Sequence, residues 1–402
     1  MFSRDALPNQ TALRFEGCRL ASAPEMAARP LRLARLLYAA SEHSADLRYV
    51  TRFSTPDAFL FLRHGNRSTV LLSDLEIDRG RREARVDEVV AWSTVSDRLR
   101  TRLRREPTST EVIVRFLRDR TVRRVGVPGD FPAGVLRGIE AAGIRVEVVD
   151  GPFWPGREIK GADEIAAIGR ALRLTEAGLA RALEVLKASE PGRRGILRWS
   201  GGALTSERLR GEMEAAVVRA GGAPSQTIVA GGIQACDPHE RGSGPLRAGE
   251  LIILDLFPRD PRTGYYGDLT RTIVRGRASE AQRRMWETVR EGQRMALGAI
   301  GPRASGARIH GAIKDFFAER GYPTVQRNGR WTGFFHGTGH GLGLDLHEEP
   351  RFGRARLRAG QVWTVEPGLY DPAVGGVRIE DVVVVTPSGC RLLSKFPVTL
   401  EV

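Results

Sequence analysis

Two kinds of hydrophobic spacing alternate along the first 150 residues of the chain. Short apolar runs at 58–62 and 69–72 flank the turn-like residues 64–66, and this arrangement predicts a β-hairpin. Elsewhere the spacing predicts strands at 124–127 and 145–149 and helices at 30–40, 110–118 and 133–142. Residues 1–150 are therefore expected to form a small α/β domain with a mixed sheet.

The segment from Gly151 to Gly156 interrupts this pattern. It contains two prolines and two glycines within six residues, and such a cluster breaks both helices and strands. We place a domain boundary here, with residues 151–160 as the linker.

Residues 161–402 begin with amphipathic helices and continue as apolar strands separated by glycine-rich turns. Helical spacing occurs at 164–187, 206–220, 280–297 and 308–320. Several strands carry carboxylates at their ends, whereas the helices lie between them. We expect an α+β domain with a curved antiparallel sheet, helices on its outer face and a site on its concave face.

The composition is that of a globular chain. Of the 402 residues, 41% are hydrophobic and 27% are charged, which excludes a disordered or fibrous protein. No apolar stretch approaches the roughly 20 residues that span a bilayer, and we expect no signal peptide. The cysteines Cys18, Cys236 and Cys390 are far apart and odd in number, which argues against a disulfide framework and a cysteine-based zinc site. A reducing, cytoplasmic location is expected.

The formal net charge is +14, but the excess is spread along the chain. Its densest point, residues 98–105, has helical spacing and no aromatic neighbour, which is typical of a solvated helix face. A nucleic-acid-binding surface would concentrate charge and interleave aromatic residues. We therefore expect neither nucleic acid nor a membrane as a partner. Only four of the 62 basic residues are lysines, a bias to which we assign no function.

Two aspartates stand where apolar strands begin or end. Asp255 follows the run LIIL, and Asp268 opens DLTRTIV thirteen residues later. If the two strands pair as a hairpin, both carboxylates meet at one place. Burying a carboxylate there is unfavourable unless it is paired or bound to metal. The alternative is that each aspartate caps a turn and faces water.

Glycines alternate through the segment that contains His336 and His340. On a helix this four-residue spacing forms a zinc-binding pair, but such a glycine density argues against a helix. We expect an extended strand or loop in which one histidine is a ligand. Surface histidines or satisfied core histidines are the alternative.

Two later strands place charged residues inside an apolar pattern. Glu366 ends the run VWTVE, directly before Pro367. Arg378 and Glu380 lie two residues apart on VRIEDVVVV, so they share a face of that strand. They indicate a polar site in the domain interior, with a purely structural salt bridge as the alternative.

Five residues are therefore candidate metal ligands: Asp255, Asp268, His340, Glu366 and Glu380. Four carboxylates and one imidazole suit two divalent ions, with Mn²⁺ first and Co²⁺ or Zn²⁺ as alternatives. Two such ions ~3.5–4 Å apart share a water and activate it at neutral pH. The carboxylates also balance the charge of two dications.

The order and context of these residues resemble the metal-dependent Xaa-Pro peptidases, aminopeptidase P and prolidase, of the pita-bread metallopeptidase family. The resemblance covers roughly residues 164–402 and is carried by PHERGSG, DLTRT, HGTGHGLGLDLHE, VEPGLY and VRIED. Residues 1–150 resemble the family's creatinase-type N-terminal domain more loosely, through LRYVTRFSTPDAFLFL. Twelve residues separate the two aspartates, more than is usual in the family, so a longer loop near the site is expected.

The resemblance implies how the five residues divide two metal ions. Asp255 would chelate one ion, Asp268 and Glu380 would bridge both, and His340 and Glu366 would complete the shell of the other. A hydroxide between the ions would attack the scissile carbonyl. Glu366 is also similar to the residue that shuttles a proton from this water to the leaving nitrogen.

Five further residues are implied to contact or orient the substrate. His239 and His347 match the histidines that hold the substrate carbonyl and stabilise the oxyanion. His336 matches a histidine that shapes the proline subsite, and Arg378 resembles the arginine that orients substrate or neighbouring ligands. Tyr370 is a weaker candidate at the edge of the site.

The expected substrate is a peptide with proline at its second position. The Phe334 and Phe335 pair, with His336 and His347, is placed in sequence to build a shallow pocket for the ring, although the pair could equally be core. The resemblance also implies a homodimer in which the N-terminal domain of one subunit walls the site of its neighbour.

Two other classes of function remain open at this point. One is another hydrolase on the same scaffold, either creatinase-like or acting on compatible solutes, although creatinases lack the metal ligands. The other is a non-catalytic binding protein, and such relatives typically lose ligands that this chain keeps. Within the peptidases, a dipeptidase and an aminopeptidase on longer peptides share all these motifs.

Overall fold

The computed structural model describes residues 33–353 and 356–402. The expectations for Cys18 and for a leader segment at the N-terminus therefore lie outside the described residues. Within the described ranges, no helix combines the length and the apolar character needed to cross a membrane.

A six-stranded mixed sheet occupies the first part of the described chain, as the hydrophobic pattern predicts. Its strands are β1 (Ala34–Ala40), β2 (Ala58–His64), β3 (Arg67–Leu72), β4 (Glu88–Ala91), β5 (Arg124–Val127) and β6 (Arg145–Val148). Their spatial order is β4-β3-β2-β1-β5-β6. The expected hairpin is β2–β3, in which Leu60 lies opposite Leu71.

Five helices connect and cover these strands. They are α1 (Ala45–Thr51), α2 (Ile77–Glu83), α3 (Trp92–Leu103), α4 (Ser109–Asp119) and α5 (Ala133–Ala141). The helix α4 begins with a capping box, in which Thr108 and Glu111 satisfy each other's backbone N–H groups. Its Phe116 and Leu117 are fully buried in the core beneath the sheet.

The helix predicted over residues 30–40 is wrong where the structure describes it. Residues Ala34–Ala40 form β1, which pairs antiparallel with β2 and parallel with β5. Leu36 and Leu37 are both buried, although successive side chains of a strand point to opposite faces. A strand buried on both faces loses its alternation, and its alanine, leucine and arginine residues favour helices in isolation.

The remaining elements follow the linker. The helices are α6 (Ala162–Ala188), α7 (Ser206–Arg219), α8 (Glu280–Ala299) and α9 (Gly306–Glu319). The strands are β7 (Glu190–Pro191), β8 (Leu197–Trp199), β9 (Gly202–Ala203), β10 (Ile228–Gly231), β11 (Leu251–Leu256), β12 (Leu269–Val274), β13 (Val325–Arg327), β14 (Arg330–Thr332), β15 (His340–Gly341), β16 (Glu348–Arg351), β17 (Val362–Val365), β18 (Gly368–Asp371), β19 (Gly375–Arg378), β20 (Asp381–Thr386) and β21 (Gly389–Leu392).

Two antiparallel sheets form the centre of this part of the chain. One is β10-β11-β12, and the other is β16-β15-β17-β20-β21. The helix α6 crosses β11 at Gly178, where an added Cβ would lie 2.5 Å from a methyl carbon of Leu256. On the other sheet, the α8 residue Gln293 donates to the carbonyl of Val365 at 3.2 Å. The four helices predicted from their amphipathic spacing all occur, within a few residues of the expected ends.

The run VRIEDVVVV is divided between two strands instead of forming one. β19 ends at Arg378 and pairs with β18, while β20 starts at Asp381 and pairs with β17. Glu380 lies between them, and its backbone N–H donates to the Thr270 carbonyl on β12 at 3.1 Å. The connection between the two sheets therefore runs directly beside the β11–β12 hairpin.

The loop between β11 and β12 packs against α1 of the mixed-sheet domain. Arg48 on α1 donates to the carbonyls of Pro261 and Arg262, at 3.3 and 3.0 Å. Arg52 donates to the Tyr265 hydroxyl at 3.2 Å. The long loop between the two aspartates therefore ties the N-terminal sheet to the hairpin that carries them.

Candidate active site

A cavity of about 670 Å³ lies where the strand ends of the two antiparallel sheets meet. The residues expected to bind metal all line it: Asp255, Asp268, His340, Glu366 and Glu380. They come from four separate segments of the chain. The sequence predicts that these residues form one metal site, and the fold brings all five to one cavity.

The β11–β12 hairpin explains why both aspartates reach the cavity. β11 and β12 pair antiparallel, with Asp255 opposite Thr270. Asp268 directly precedes β12 and lies two residues before Thr270, so its side chain is on the same face as that of Thr270. The Asp255 and Asp268 side chains therefore lie on the same face of the hairpin. The conditional expectation of a hairpin is confirmed.

Three of the five groups are close enough to hold one ion. Ligand atoms of Asp268, His340 and Glu380 all lie within 4.8 Å of one another. The His340 Nε2 atom is 3.7 Å from Asp268 Oδ2 and 3.4 Å from Glu366 Oε1. Asp255 stands slightly apart, with its Oδ2 accepting from Arg378 Nη2 at 2.6 Å.

The electrostatics of the cavity call for added positive charge. Burial, together with repulsion from Glu380, raises the pKa of Asp268 well above its ordinary range. Burial and repulsion from Glu366 act in the same direction on the pKa of Glu380. Asp255 Oδ1 is also buried without a hydrogen-bond partner among the described residues. Because buried carboxylates require compensation, this donor set fits divalent metal ions.

His340 has the protonation state of a metal ligand. Burial and the neighbouring His347 lower the pKa of His340 to about 3, so the ring is neutral at pH 7. Its Nδ1 lies 3.1 Å from the Gly341 carbonyl, which can only accept a hydrogen bond. The proton therefore resides on Nδ1, and the Nε2 lone pair faces the carboxylates.

Two threonines that the sequence analysis did not single out orient the carboxylates. Thr270 Oγ1 donates to Glu380 Oε2 at 2.7 Å. Thr364 Oγ1 accepts from the His340 backbone N–H at 3.0 Å and contacts Glu366 Oε1 at 3.3 Å. Thr270 lies two residues after Asp268, and Thr364 lies two residues before Glu366. The period of two along each strand was thus a signal that could have found them.

Arg378, Tyr370 and His336 form a hydrogen-bonded chain behind one wall. Arg378 Nη1 donates to Tyr370 Oη at 3.2 Å, and Tyr370 Oη lies 2.8 Å from His336 Nε2. His336 and Arg378 line the cavity. Tyr370 is only 1% exposed, so it supports these two residues from behind and is not at the cavity edge.

The other residues expected to contact substrate occupy different positions around the cavity. His239 and His347 both line it, and the His347 ring packs edge-on against His340 at 4.4 Å between centroids. Phe335 lines the cavity as well. Phe334 is buried in the core, where its ring contacts His336 edge-on at 5.1 Å. Of the two phenylalanines, Phe335 therefore belongs to the pocket and Phe334 to the core.

Two arginines of the cavity wall were missed by sequence reasoning. Arg241 and Arg351 both line the cavity, and both are exposed. Arg351 contributes, after burial, to the lowered pKa of His347. Arg241 lies within the PHERGSG motif, whereas Arg351 carries no sequence signal of its own among so many arginines.

A family model for metallopeptidase family M24 matches residues 166–387 of the chain. An Xaa-Pro dipeptidase of Pyrococcus horikoshii is 30% identical over 286 residues, which span 68% of this chain and 74% of that protein. An Xaa-Pro aminopeptidase 1 of Streptomyces coelicolor is 32% identical over 310 residues, which span 65% of this chain and 59% of that protein.

The fold is similar to that of solved structures over nearly its whole length. A prolidase from Pyrococcus furiosus superimposes with a TM-score of 0.73 at 25% sequence identity. The match covers 90% of this chain and 96% of that chain. It therefore extends across both the mixed-sheet part and the part that contains the cavity.

Proposed function

The chain belongs to metallopeptidase family M24, and from this premise we propose a function for the cavity. The protein is a metal-dependent Xaa-Pro peptidase with the pita-bread fold. We propose that it cleaves the bond before a proline at the second position of a peptide. The observation that carries this proposal is the convergence of Asp268, His340 and Glu380 within 4.8 Å in a substrate-sized cavity.

We propose three divisions of the chain on this basis. Residues 1–150 would form a creatinase-like domain, residues 151–160 a linker and residues 161–402 the catalytic domain. The mixed sheet ends at Val148 and α6 begins at Ala162, which supports this division. A cytoplasmic location is part of the same proposal and rests on cysteine usage.

Two divalent ions are proposed to bind at the five ligands, with Mn²⁺ first and Co²⁺ or Zn²⁺ as alternatives. Asp255 would hold one ion, His340 and Glu366 the other, and Asp268 and Glu380 both. When bound, the ions would activate water as a nucleophile at neutral pH and polarise the scissile carbonyl. Asp255 Oδ1, which has no hydrogen-bond partner in the described part of the chain, and the crowded buried carboxylates support a site for two positive ions.

Glu366 is proposed to move the proton during hydrolysis. Burial raises the pKa of its carboxyl group to about 7, although Arg378 opposes the shift. This pKa belongs to the metal-free site; a bound cation would lower it, so the carboxylate would be ionised and able to accept a proton. Its carboxylate would take the proton from the attacking water and deliver it to the proline nitrogen, which leaves as an amine.

His239 and His347 are proposed to stabilise the oxyanion from the cavity wall. Burial, followed by Arg351, lowers the pKa of His347, so its ring is neutral and donates through one N–H. A donor aimed at the carbonyl oxygen binds more tightly as negative charge develops there. Arg378 would orient the neighbouring ligands through its contact with Asp255.

The proposed substrate preference rests on the shape of one side of the cavity. An Xaa-Pro nitrogen carries a ring carbon where an ordinary peptide nitrogen carries a hydrogen. Phe335 and His336 line the cavity together and present flat rings, and the Tyr370 hydroxyl holds His336 in place. These rings would form the proline subsite.

We expect kcat/KM for Ala-Pro to exceed that for Ala-Ala. Pocket fit for one small ring is worth ~1–3 kcal/mol, which corresponds to about 10–200-fold. The two dipeptides have equal length, so a comparison in Mn²⁺-containing buffer isolates the ring. Equal values would remove the Xaa-Pro preference and leave a general aminopeptidase or another amidohydrolase.

The accepted peptide length is tested by the same assay. Relatives of this chain carry both names, Xaa-Pro dipeptidase and Xaa-Pro aminopeptidase. Hydrolysis of Ala-Pro is compared with hydrolysis of Ala-Pro-Ala. A creatinase-like hydrolase or a non-catalytic binding protein would cleave neither peptide.

A homodimer is the proposed assembly. Phe59 and Phe61 are buried in the core and are not available for an interface. Ile233 and Trp331, at 57% and 54% exposed, line one surface cleft and offer an apolar contact instead. Light scattering at micromolar concentration should return about twice the 44.2 kDa chain mass. A monomer mass alone would contradict the proposal.

A further inference from the structure

Glu348, the residue that follows His347, is held by two basic residues of the linker. Lys160 Nζ donates to Glu348 Oε1, and Arg157 Nη2 donates to Glu348 Oε2 at 2.6 Å. The side chains of Lys160 and Glu348 are 1% and 6% exposed. The pair is thus nearly sealed from solvent, 188 residues apart in the chain.

The Glu348 carboxylate also organises the loop that leads to His347. Its Oε2 accepts from the Asp345 backbone N–H at 3.3 Å. A Cβ at Gly343 would lie 2.4 Å from Glu348 Oε1, so the loop packs directly on this carboxylate. Residues 342–347 belong to no helix or strand, and the Glu348 carboxylate accepts from one backbone N–H of this loop.

Arg157 extends the same cluster to the N-terminal sheet domain. Its Nη2 contacts Asp345 Oδ2 at 2.6 Å, and its Nη1 contacts Asp46 on α1 at 2.9 Å. Arg157 therefore bridges α1, the loop before His347 and Glu348. The Lys160 backbone N–H donates to the Gly360 carbonyl at 2.8 Å, which anchors the other basic residue beside β17.

The His347 ring itself makes few contacts that could fix its direction. Among the described residues, its ring atoms take part in no hydrogen bond or ion pair, and its packing contact is with His340. The direction of the ring is therefore decided by the backbone that Glu348 holds. In a chain where only four of 62 basic residues are lysines, one of the four is buried at this contact.

We propose that Lys160 and Arg157 are positioning residues for His347, acting through the Glu348 carboxylate. The inference rests on the proposed function, in which His347 stabilises the oxyanion. A group that acts in the transition state affects kcat when it is displaced, and a shift of about 1 Å can lower the rate by about 100-fold. Neither linker residue needs to contact substrate for this effect.

The test compares K160M and R157M with the wild type on Ala-Pro, with bound metal and thermal unfolding measured on each. We expect kcat to fall by about 10–100-fold, KM to change by less than about threefold, and metal content to stay unchanged. R157K should recover part of the kcat that R157M loses, because its ammonium group keeps a positive charge beside the carboxylates. The recovery should be incomplete, because one ammonium group contacts fewer carboxylates than a guanidinium group does. R181M is the control, because Arg181 forms a surface ion pair with Glu212 away from the cavity.

A double-mutant cycle with H347A separates positioning from general structural damage. In the H347A background, K160M and R157M should change kcat by less than about twofold. A loss as large as in the wild-type background, or unchanged kcat in both single variants, would overturn the inference. Arg157 lies nearer the surface, so R157M carries the test if K160M does not fold. A wild type that does not cleave Ala-Pro would instead contradict the proposed function.

Discussion

We expect replacement of Asp268 or Glu380 by alanine to abolish Ala-Pro hydrolysis and to remove bound metal from the purified protein. Each carboxylate is proposed to serve both ions, and each lies within 4.8 Å of the other and of His340. Loss of a shared ligand leaves each ion with one carboxylate fewer in a buried site. Metal per chain after dialysis, measured by mass spectrometry, and hydrolysis in added Mn²⁺ check this result.

Asp371 supplies a matched control for these variants. It also ends a strand, β18, but its carboxylate caps a turn by accepting from the Ala373 backbone N–H at 2.9 Å. D371N should keep its metal and its activity. Two ions per chain in D268A or E380A would contradict the shared role of these carboxylates.

In the metal-free protein, replacing Asp268 should not lower the thermal stability. Burial raises the pKa values of Asp268 and Glu380 above those of the unfolded chain, so each group lowers the free energy of unfolding as the pH rises above its unfolded-state pKa. D268N removes one of these titrating groups. We expect the metal-free variant to unfold at a temperature no lower than that of the metal-free wild type, and calorimetry with a chelator measures this.

Replacing Glu366 by glutamine should lower kcat by about 10²–10⁴-fold while most of the metal stays bound. Glutamine keeps the size and one carbonyl oxygen of the side chain but cannot accept the proton of water. The remaining ligands, including His340 at 3.4 Å from the Glu366 carboxylate, are left in place. Single-turnover hydrolysis of Ala-Pro and metal analysis on the same sample report the two effects separately.

E366Q is expected to lose rate but keep its metal, whereas D268A and E380A are expected to lose both. Full activity in E366Q with two metals bound would show that the proton is carried by another group. Glu250, whose side chain is 43% exposed near the start of β11, provides the control glutamate. E250Q should retain wild-type kcat and metal content.

Residues close in sequence made the largest part of the site predictable. Asp255 and Asp268 stand beside apolar strands whose pairing is local, and Glu366 follows a strand that Pro367 ends. A buried carboxylate at the edge of a core strand is unfavourable without a partner, so the pattern predicts either a paired or metal-bound group or a turn cap that faces water. Thr270 and Thr364 lie two residues from Asp268 and Glu366, so the alternation of strand side chains also predicts that they face the site.

Predictions failed where burial is decided by distant segments. The spacing over β1 predicts a helix, because a strand buried on both faces does not alternate apolar and polar residues. The division of VRIEDVVVV between β19 and β20 follows from pairing with β18 and β17, which local spacing does not reveal. Tyr370 is buried behind the cavity wall, where its hydroxyl contacts Arg378 and His336.

The sequence by itself predicts the chemistry of this protein: five candidate metal ligands, the order of helices and strands around them, and the resemblance to Xaa-Pro peptidases. Those features are written in residue types and in spacings shorter than one strand or helix. The tertiary structure alone decided which side chains support that chemistry. Lys160 and Glu348 are 188 residues apart, and their contact exists because the linker is folded against the loop before His347. A buried ion pair leaves no local pattern, since each partner alone resembles an ordinary charged surface residue.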